Sequence, residues 1–504
     1  MKKVVVIGAG LGGMSTAIRL ASEGYKVTVL EKNERAGGKL NIRSGEGYTF
    51  DTGPSILTMP WVLRDLFASA DRNVDDYMEL IQIEPQWRTF FEDGTRFDLT
   101  SDLPGLMRSF ESVSPVAASE FYSYMAYSKK MYDTCMKSFY NQSITGVSDL
   151  RKLHSLDELL SLDPMRTVAQ ATAKHFSSTH MQQLFNFLVM YVGASPYQAP
   201  AVLSQLAYVQ LGLGIFYVKG GMYNIARGML RLLDELGVQV KTNQEVAEIQ
   251  TRGSQVTGVR TSDDVLYAAD VVVSNLEAVP SYELLFKNKG AAKARKAAKQ
   301  LKKYAPSVSG LVMLLGADRS YDQLAHHNFF FSKDPEREFR QIFKDQKPAD
   351  DPTVYIGVSS KTDPSQAPLG TDNLFVLTHV PPMKANEDQW SVNAESYRHV
   401  ILNKLNRMGL PVHEDHITWQ QQFTPTDLKQ LYGATGGSIY GTVADKKTNG
   451  GFRIPNRSEV FENLYLVGGS THPGGGVPMA TLSGLLTAEQ IFEEHRSTLR
   501  KSAR

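Results

Sequence analysis

Cysteine is almost absent from this chain of 504 residues, in which Cys135 is the single thiol. One thiol cannot form an intramolecular disulfide, and no CxxC pair or Cys/His cluster has the spacing of a zinc site. The sequence pattern therefore argues against a disulfide-stabilised secreted scaffold and against a zinc protein. We expect a cytosolic protein that binds no metal.

An excess of charge of one sign is also absent, because 54 Lys and Arg residues face 53 Asp and Glu residues. The net charge of +1 gives no overall field that would hold nucleic acid, so we expect no nucleic-acid partner. With 42% apolar and 21% charged residues, the composition is that of a globular protein. The length predicts two or three domains.

No uninterrupted apolar run has the length of a membrane span, although residues 175–218 contain no Asp, Glu, Lys or Arg. Pro196, Pro200, Gly212 and Gly214 interrupt this uncharged stretch, which argues against one continuous spanning helix. Two interpretations remain open. The stretch forms an ordinary buried helical core, or it lines an apolar tunnel or membrane-dipping surface that accepts a long hydrocarbon.

Glycine is concentrated near the start of the chain, where a β-branched run at 3–7 leads into a GxGxxG motif. The glycines of this turn are Gly8, Gly10, Gly12 and Gly13. Apolar residues at helical spacing follow, and a second β-branched run at 26–30 ends in Glu31. A strand, a tight turn and a helix in this order bind a dinucleotide pyrophosphate, and the acid binds a ribose hydroxyl. The sequence therefore predicts an adenine dinucleotide without a 2′-phosphate.

The later parts of the chain return to short strands and finish on a second glycine-rich turn. β-Branched runs predict strands at 238–240, 246–250, 256–260, 265–267 and 270–275. A final strand at 463–470 leads into a glycine-rich turn and then into a helix over about 480–494. The backbone amides of such a turn, at the positive end of a helix, are suited to line a cofactor ring.

Several blocks of sequence carry a resemblance to a known family. The segments 31–39, 220–223 and 468–479 resemble the bacterial phytoene and dehydrosqualene desaturase family of flavoproteins, and the similarity covers nearly the whole chain. Within that family, further blocks are most similar to the branch of 4,4′-diaponeurosporene and 4,4′-diapolycopene oxygenases. These blocks lie at 53–60, 86–94, 197–204, 324–331 and 439–447.

This resemblance implies FAD as the cofactor and an α/β, two-domain flavoprotein fold with a discontinuous Rossmann-like FAD-binding domain. We expect that domain to comprise residues 1–80, 215–280 and 455–504. We expect a substrate-binding region of mixed sheet and helices at 81–214 and 281–454, with its apolar helical part at 105–214. One departure is the pair Gly468-Gly469, because many members of the wider superfamily carry an acid near this turn to bind the ribityl chain.

Candidate site residues follow from the motif and from the resemblance. The motif predicts cofactor binding by Gly8, Gly10, Gly12, Gly13 and Glu31. The resemblance adds Lys32, Gly38, Lys39, Pro54, Ser55, Val246, Asn275, Gly468, Gly469, Val477, Pro478 and Met479. The candidate substrate contacts are His326, His327 and Phe329. His472, inside the closing turn, is the candidate acid or base, and if it supports turnover, His472→Ala retains FAD and loses activity.

The resemblance implies oxidation of the terminal methyl group of a C30 carotenoid, 4,4′-diaponeurosporene or 4,4′-diapolycopene, to the aldehyde. A carotenoid desaturase, which introduces double bonds by hydride transfer to FAD, stays open as the alternative because both activities use the same FAD apparatus. A non-catalytic isoprenoid carrier is disfavoured, since a carrier needs no redox cofactor. Amine oxidation is disfavoured because no amine-binding aromatic cage is identifiable. A carotenoid substrate implies peripheral attachment to the inner face of the cell membrane, and the oligomeric state stays open.

Overall fold

The computed structural model describes residues 2–287, 290–384, 390–443 and 450–502. Residues 444–447, which belong to the sequence block at 439–447, lie outside this part of the chain. Residue 1 and residues 503–504, at the ends of the predicted FAD-binding domain, also lie outside it.

Strands and helices are numbered here in chain order. The strands are β1 Lys3–Ile7, β2 Lys26–Leu30, β3 Ile42–Gly45, β4 Tyr48–Asp51, β5 Leu80–Gln82, β6 Trp87–Phe90, β7 Arg96–Leu99, β8 Phe216–Val218, β9 Gln239–Lys241, β10 Val246–Arg252, β11 Gln255–Thr261, β12 Leu266–Ala268, β13 Val271–Ser274, β14 Ser309–Ala317, β15 His327–Phe330, β16 Val354–Gly357, β17 Asp372–Val380, β18 Ile417–Phe423 and β19 Leu464–Leu466. The helices are α1 Leu11–Ser22, α2 Trp61–Ala68, α3 Leu103–Glu111, α4 Ala117–Met136, α5 Val147–Leu153, α6 Leu156–Ser161, α7 Val168–His175, α8 Thr179–Phe187, α9 Gln205–Ala207, α10 Asn224–Glu235, α11 Ala278–Leu284, α12 Ala291–Leu301, α13 Pro335–Phe343, α14 Trp390–Arg407, α15 Pro425–Tyr432 and α16 Val477–Ser502.

A parallel five-stranded sheet has the strand order β19-β13-β1-β2-β9. Its strands come from three distant stretches of the chain, so the sheet is discontinuous in sequence. The central strand β1 is buried on both faces, as is typical of a parallel sheet covered on both sides. Val4 and Val6 pack in the core that contains α1, α10 and α16, whereas Val5 and Ile7 pack against the β10-β11-β12 sheet, α11 and α12.

The strands predicted at 3–7 and 26–30 are confirmed at both ends. The final strand is shorter than predicted, because it ends at Leu466 and the backbone then enters a left-handed conformation at Gly468, where φ is 101°. The last helix is longer than predicted and begins at Val477. The domain boundaries proposed from the sequence stay a prediction.

A seven-stranded mixed sheet has the order β18-β14-β17-β16-β15-β6-β7, with β15 and β6 parallel and the other neighbours antiparallel. Side chains on one of its faces, such as Leu374 and Val376, form a core with α14. The opposite face, with Val312 and Phe329 among its residues, turns toward a large cavity.

The helical part of the chain between 103 and 214 covers the other side of that cavity. The uncharged stretch 175–218 folds as the short helix α8, two 3₁₀ turns at Leu188–Val192 and Ala201–Ser204, α9 and a π-helical turn at Tyr208–Gly212. Among the helices in the described ranges, none combines the length and apolarity that a membrane crossing requires.

Candidate functional site

A cavity of about 1390 Å³ lies between the parallel sheet, the seven-stranded sheet and the helical region. Because typical small-ligand pockets measure about 300–1,000 Å³, this cavity has room for a dinucleotide and a second ligand. Its walls include the carboxyl ends of β1, β2 and β13, where ligands of open parallel sheets bind.

The glycine-rich turn between β1 and α1 leaves no room for side chains. A Cβ at Gly12 would lie 2.8 Å from Asn275 Oδ1 and 2.9 Å from the Gly468 nitrogen, and a Cβ at Gly13 would overlap the Gly8 carbonyl oxygen. The Gly13 amide donates to Asn275 Oδ1 at 3.1 Å, so the residue after β13 holds the turn. Gly12 thus brings backbone to the cavity wall, and Gly13 lets the helix pack closely on the strand.

Glu31 directly follows β2, lines the cavity and is almost fully buried. Its Oε2 accepts the Ala9 amide at 2.8 Å, and its Oε1 accepts the backbone and side-chain N–H groups of Asn33 at 3.0 and 2.9 Å. The carboxylate therefore fixes the glycine-rich turn. Oε2 keeps a second lone pair that suits a ribose hydroxyl.

The segment 468–479 lies against the glycine-rich turn and closes the cavity. The Gly468 amide donates to Ser483 Oγ at 3.1 Å, and Asn456 Nδ2 donates to the His472 carbonyl oxygen at 2.9 Å. Helix α16 then begins at Val477, which lines the cavity together with the next two residues. The positive end of this helix dipole is therefore directed at the cavity.

A row of side chains on the seven-stranded sheet forms the apolar floor of the cavity. Phe329 on β15 pairs with Tyr355 on β16, Tyr355 pairs with Leu377 on β17, and Leu377 pairs with Val312 on β14. Paired residues on neighbouring strands point to the same face, and all four line the cavity. The Trp87 ring packs on Phe329 with 4.1 Å between ring centroids. The floor therefore offers aromatic and aliphatic surface to a flat apolar ligand.

Three ionisable side chains that line the cavity, His379, Tyr355 and Tyr440, are held neutral by burial. Burial lowers the pKa of His379 to about 3. Burial also raises the pKa of the Tyr355 and Tyr440 hydroxyls above their usual value. None of these three side chains carries a charge at neutral pH, so they present a neutral surface to a ligand.

The structure brings nearly all predicted cofactor residues to this one cavity. Those that line it are Gly8, Gly10, Gly12, Glu31, Lys32, Gly38, Lys39, Pro54, Ser55, Val246, Asn275, Gly468, Gly469, Val477, Pro478 and Met479. Gly13 lies behind the wall, between helix and strand. Cofactor contact by each of these residues stays a prediction.

The candidate substrate residues divide between the wall and the layer behind it. Phe329 lines the cavity, whereas His326 and His327 do not. His326 Nδ1 lies 2.7 Å from Thr362 Oγ1, and His327 Nδ1 lies 2.8 Å from the Tyr355 hydroxyl. Burial lowers the pKa of His326 to about 3 and holds the pKa of His327 well below its usual range. His327 thus reaches the cavity through Tyr355, whose hydroxyl also lies 2.8 Å from Ser55 Oγ, and a substrate role for both histidines stays a prediction.

The closing turn directs His472 away from the cavity lining. Its buried ring donates from Nε2 to the carbonyl oxygens of Phe139 and Gln142, both at 3.0 Å, and packs edge-on against the Phe139 ring. Burial lowers the pKa of His472 to about 4. These contacts fasten the turn to the helical region, which is the geometry of an anchoring residue. Catalysis by His472 stays an untested prediction.

Several residues of the cavity wall were missed by the sequence analysis, namely Trp87, Tyr355, His379 and Arg453. A sequence signal existed for one of them, since Phe375, Leu377 and His379 alternate along β17 as residues on one strand face do. The others reach the wall through strand pairing and through packing between distant segments. No local pattern marks such positions.

The residues present fit the FAD that the resemblance implies. Gly8, Gly10 and Gly12 present backbone without side chains to the cavity, the start of α1 directs backbone N–H groups toward it, and Glu31 offers an acceptor next to β2. The cavity continues from this turn to the positive end of α16, where it has room for a ring system.

Comparison with known proteins gives similarity over the full length of the chain. A family profile described as flavin-containing amine oxidoreductase matches residues 11–492. The chain is 42% identical to a 4,4′-diapolycopene oxygenase of Methylomonas sp. over 494 residues, which are 98% of each chain. It is 39% identical to a 4,4′-diaponeurosporene oxygenase of Staphylococcus aureus strain MSSA476 over 491 residues, 97% of this chain and 98% of that one.

Solved structures share the fold at low sequence identity. An oxidoreductase from Methanosarcina mazei has a TM-score of 0.65 at 18% identity and covers 97% of this chain and 100% of its own. Wild-type putrescine oxidase bound to putrescine has a TM-score of 0.63 at 15% identity and covers 98% and 99%. These similarities confirm the predicted α/β flavoprotein fold.

Proposed function

The chain belongs to the flavin-containing amine oxidoreductase family, and from that premise we propose that it oxidises the terminal methyl group of a C30 carotenoid to the aldehyde. The protein is an FAD-dependent oxidoreductase. Its proposed substrates are 4,4′-diaponeurosporene and 4,4′-diapolycopene, the compounds in the names of its relatives.

One observation carries the proposal: the row Phe329, Tyr355, Leu377 and Val312 lies in the same cavity as the glycine-rich turn. A carotenoid is a long, flat and apolar polyene, which aromatic rings and branched aliphatic side chains contact favourably. An amine substrate is charged at neutral pH and would need a negative or polar partner. The neutral floor therefore supports a hydrocarbon in preference to an amine.

Bound FAD supplies the two-electron acceptor for oxidation of an allylic carbon. The protein side chains hold the polyene and exclude water from it. Because His379, Tyr355 and Tyr440 are neutral, the apolar floor contributes shape and orientation and no charged acid or base. Orientation decides which carbon reacts, since a displacement of about 1 Å can lower a rate about a hundredfold.

The test is to express the chain in a bacterium that makes 4,4′-diaponeurosporene or 4,4′-diapolycopene and to separate the pigments by chromatography with mass detection. The proposal expects a product that has gained one oxygen and lost two hydrogens. A product that has lost hydrogen pairs without gaining oxygen would replace the proposal by desaturation. A strain with Gly12→Ala is the matched control, because that variant disturbs the predicted cofactor site and leaves the apolar floor intact.

We also propose that the surface formed by α5 and α6 contacts the inner face of the cell membrane and admits the substrate. Val147, Leu156 and Leu160 are exposed to solvent and also line the cavity, so they mark an opening of the cavity. Leu156 is 72% exposed, Leu160 58% and the nearby Met165 82%. An apolar rim at an opening fits entry from a lipid phase, where a carotenoid dissolves.

A further inference from the structure

Arg453 is a buried cation in the cavity wall, and no carboxylate among the described residues forms an ion pair with it. The residue is 4% exposed and lines the cavity. Its NH1 group lies 3.5 Å from Thr442 Oγ1, and its guanidinium lies against Gly474, where a Cβ would be 3.3 Å from Arg453 Nε. Within the described part of the chain, no carboxylate lies within ion-pair distance of it. By contrast, Arg398 Nη2 lies 3.2 Å from Glu414 Oε1.

A guanidinium that is buried without an ion pair to the described residues costs free energy. Moving an ion from water into a protein interior costs several kcal/mol of free energy, even after the surrounding protein has relaxed. Burial lowers the pKa of Arg453 to about 10, which still leaves the side chain charged at neutral pH. A charge that no described carboxylate balances, in the wall of a ligand cavity, indicates that the balancing charge is on a ligand.

Contacts between neighbouring segments of the cavity wall indicate at which end of the cavity Arg453 lies. Gly12 of the glycine-rich turn lies against Gly468, since a Cβ added at Gly12 would be 2.9 Å from the Gly468 nitrogen. The next residue, Gly469, lies against Gly475, since a Cβ added at Gly469 would be 3.4 Å from the Gly475 Cα. Arg453 lies one step further, at Gly474. Because Gly474 lies three residues before α16 begins, Arg453 is on the α16 side of the cavity.

Two positive features meet on this side of the cavity. One is the guanidinium of Arg453, and the other is the positive end of α16, which begins at Val477 in the same wall. The ring of FAD gains negative charge when it is reduced, and the adenosine part does not. A fixed positive wall at the ring end therefore interacts more strongly with the reduced cofactor than with the oxidised one.

We propose that Arg453 is a binding residue for the flavin ring that favours its reduced, negatively charged form and so raises the flavin reduction potential. The inference rests on the cofactor and is independent of the carotenoid substrate. Its failure would leave the proposed function standing, and failure of the pigment test would leave the inference standing.

The test compares holoenzymes of wild type, Arg453→Gln, Arg453→Lys and Arg457→Gln. Sulfite adds reversibly to oxidised flavin and leaves the ring negatively charged, so its dissociation constant reports stabilisation of negative charge without any carotenoid. We expect Arg453→Gln to weaken sulfite binding at least tenfold and to lower the midpoint potential by at least about 30 mV, the two-electron equivalent of tenfold. Arg453→Lys, which keeps the charge, should fall between wild type and Arg453→Gln.

Arg457→Gln is the matched control, because it removes the same charge four residues further along the chain. The Arg457 side chain is 56% exposed, and its Nε lies 2.8 Å from Glu494 Oε1. It should leave both readouts unchanged. Wild-type values for both readouts in Arg453→Gln would overturn the proposal. If Arg453→Gln does not retain FAD, the apoprotein is titrated separately with oxidised and reduced FAD. A larger loss of affinity for the reduced form supports the proposal, and equal losses overturn it.

Discussion

A methyl group added at Gly12 would collide with two neighbouring segments of the chain. A Cβ there would lie 2.8 Å from Asn275 Oδ1 and 2.9 Å from the Gly468 nitrogen. Gly12→Ala must push apart the glycine-rich turn and the closing segment, so we expect purified protein to contain at least tenfold less FAD than wild type. Flavin absorbance relative to protein absorbance measures this ratio.

Gly146→Ala is the control for that variant. Gly146 has an extended backbone, and a Cβ there meets nothing within 4 Å. It should purify with wild-type FAD content. A Gly12→Ala protein with a full complement of FAD would contradict the predicted role of the glycine-rich turn in binding the cofactor.

His472 is expected to act on stability more than on chemistry. His472→Ala leaves the carbonyl oxygens of Phe139 and Gln142 without their donor and opens a buried space, so we expect a loss of about 2–3 kcal/mol in unfolding free energy. Urea denaturation measures it. His472→Gln restores a donor of similar reach and should recover part of the stability. Loss of turnover in a fully stable, FAD-loaded His472→Ala protein would instead support the catalytic role predicted from the sequence.

A site residue can be predicted from the sequence when the motif that defines it lies within one short segment of the chain. Gly12 and Glu31 were predictable because the strand, turn, helix and acid that define them lie within thirty-one consecutive residues. Arg453 and Trp87 were not, because each reaches the cavity only after distant segments pack together. His472 was predicted in the correct turn, but the direction of its ring depends on the helical region that it contacts.

At the scale of elements, helices α5 and α6 carry the membrane proposal. Ser155 caps α6 by accepting the Glu158 amide at 3.2 Å while the Glu158 carboxylate accepts the Ser155 amide at 3.0 Å, so the helix holds its exposed leucines in fixed positions. We expect Leu156→Asp with Leu160→Asp to reduce binding to vesicles of phosphatidylcholine and phosphatidylglycerol at least tenfold, since burial of each leucine contributes about 1.5–3 kcal/mol. Vesicle flotation measures the bound fraction.

Leu369→Asp is the control for the helix variant, because Leu369 is fully exposed and lies outside the cavity. It should bind vesicles like wild type. Equal binding by all three proteins would contradict the assignment of the membrane contact to α5 and α6.

Elements differed in how far the sequence predicted them. The strands of the parallel sheet are short β-branched runs bounded by glycine or polar residues, and β1 and β2 were predicted at their observed bounds. The seven-stranded sheet was predicted only as part of a mixed region. Its order joins β6 and β15, which lie more than two hundred residues apart, and strand pairing at that separation leaves no periodic signal in either segment.

At the scale of the whole molecule, the acid stability of the fold follows from side chains that are buried uncharged. Among the buried histidines, four have a pKa that burial lowers below the usual value of about 6.5, and these are His326, His327, His379 and His472. The unfolded chain protonates them below about pH 6.5, whereas the folded protein resists protonation until about pH 4 or lower. Acid therefore favours the unfolded state through these groups.

Two buried carboxyls oppose this effect. Burial raises the pKa of Glu338 to about 7 and that of Asp51 to about 6, so the folded protein holds these protons where the unfolded chain has lost them. Their contribution to stability is present below about pH 4 and is lost as the pH rises through 6 and 7. Of these six buried groups, four act in one direction and two in the other, which leaves a net difference of about two protons bound in favour of the unfolded state.

We therefore expect the unfolding free energy to fall by about 2–3 kcal/mol for each pH unit between pH 6 and 5, since one proton corresponds to about 1.4 kcal/mol per unit. Urea midpoints measured across that range test this slope. His379→Phe removes one of the four histidines from the buried wall and should reduce the slope by roughly half, because one of about two net protons is lost. His399→Gln replaces an exposed histidine and should leave the slope unchanged. A midpoint that is constant or rises on acidification would mean that the carboxyls, and not the histidines, govern the stability of this fold in acid.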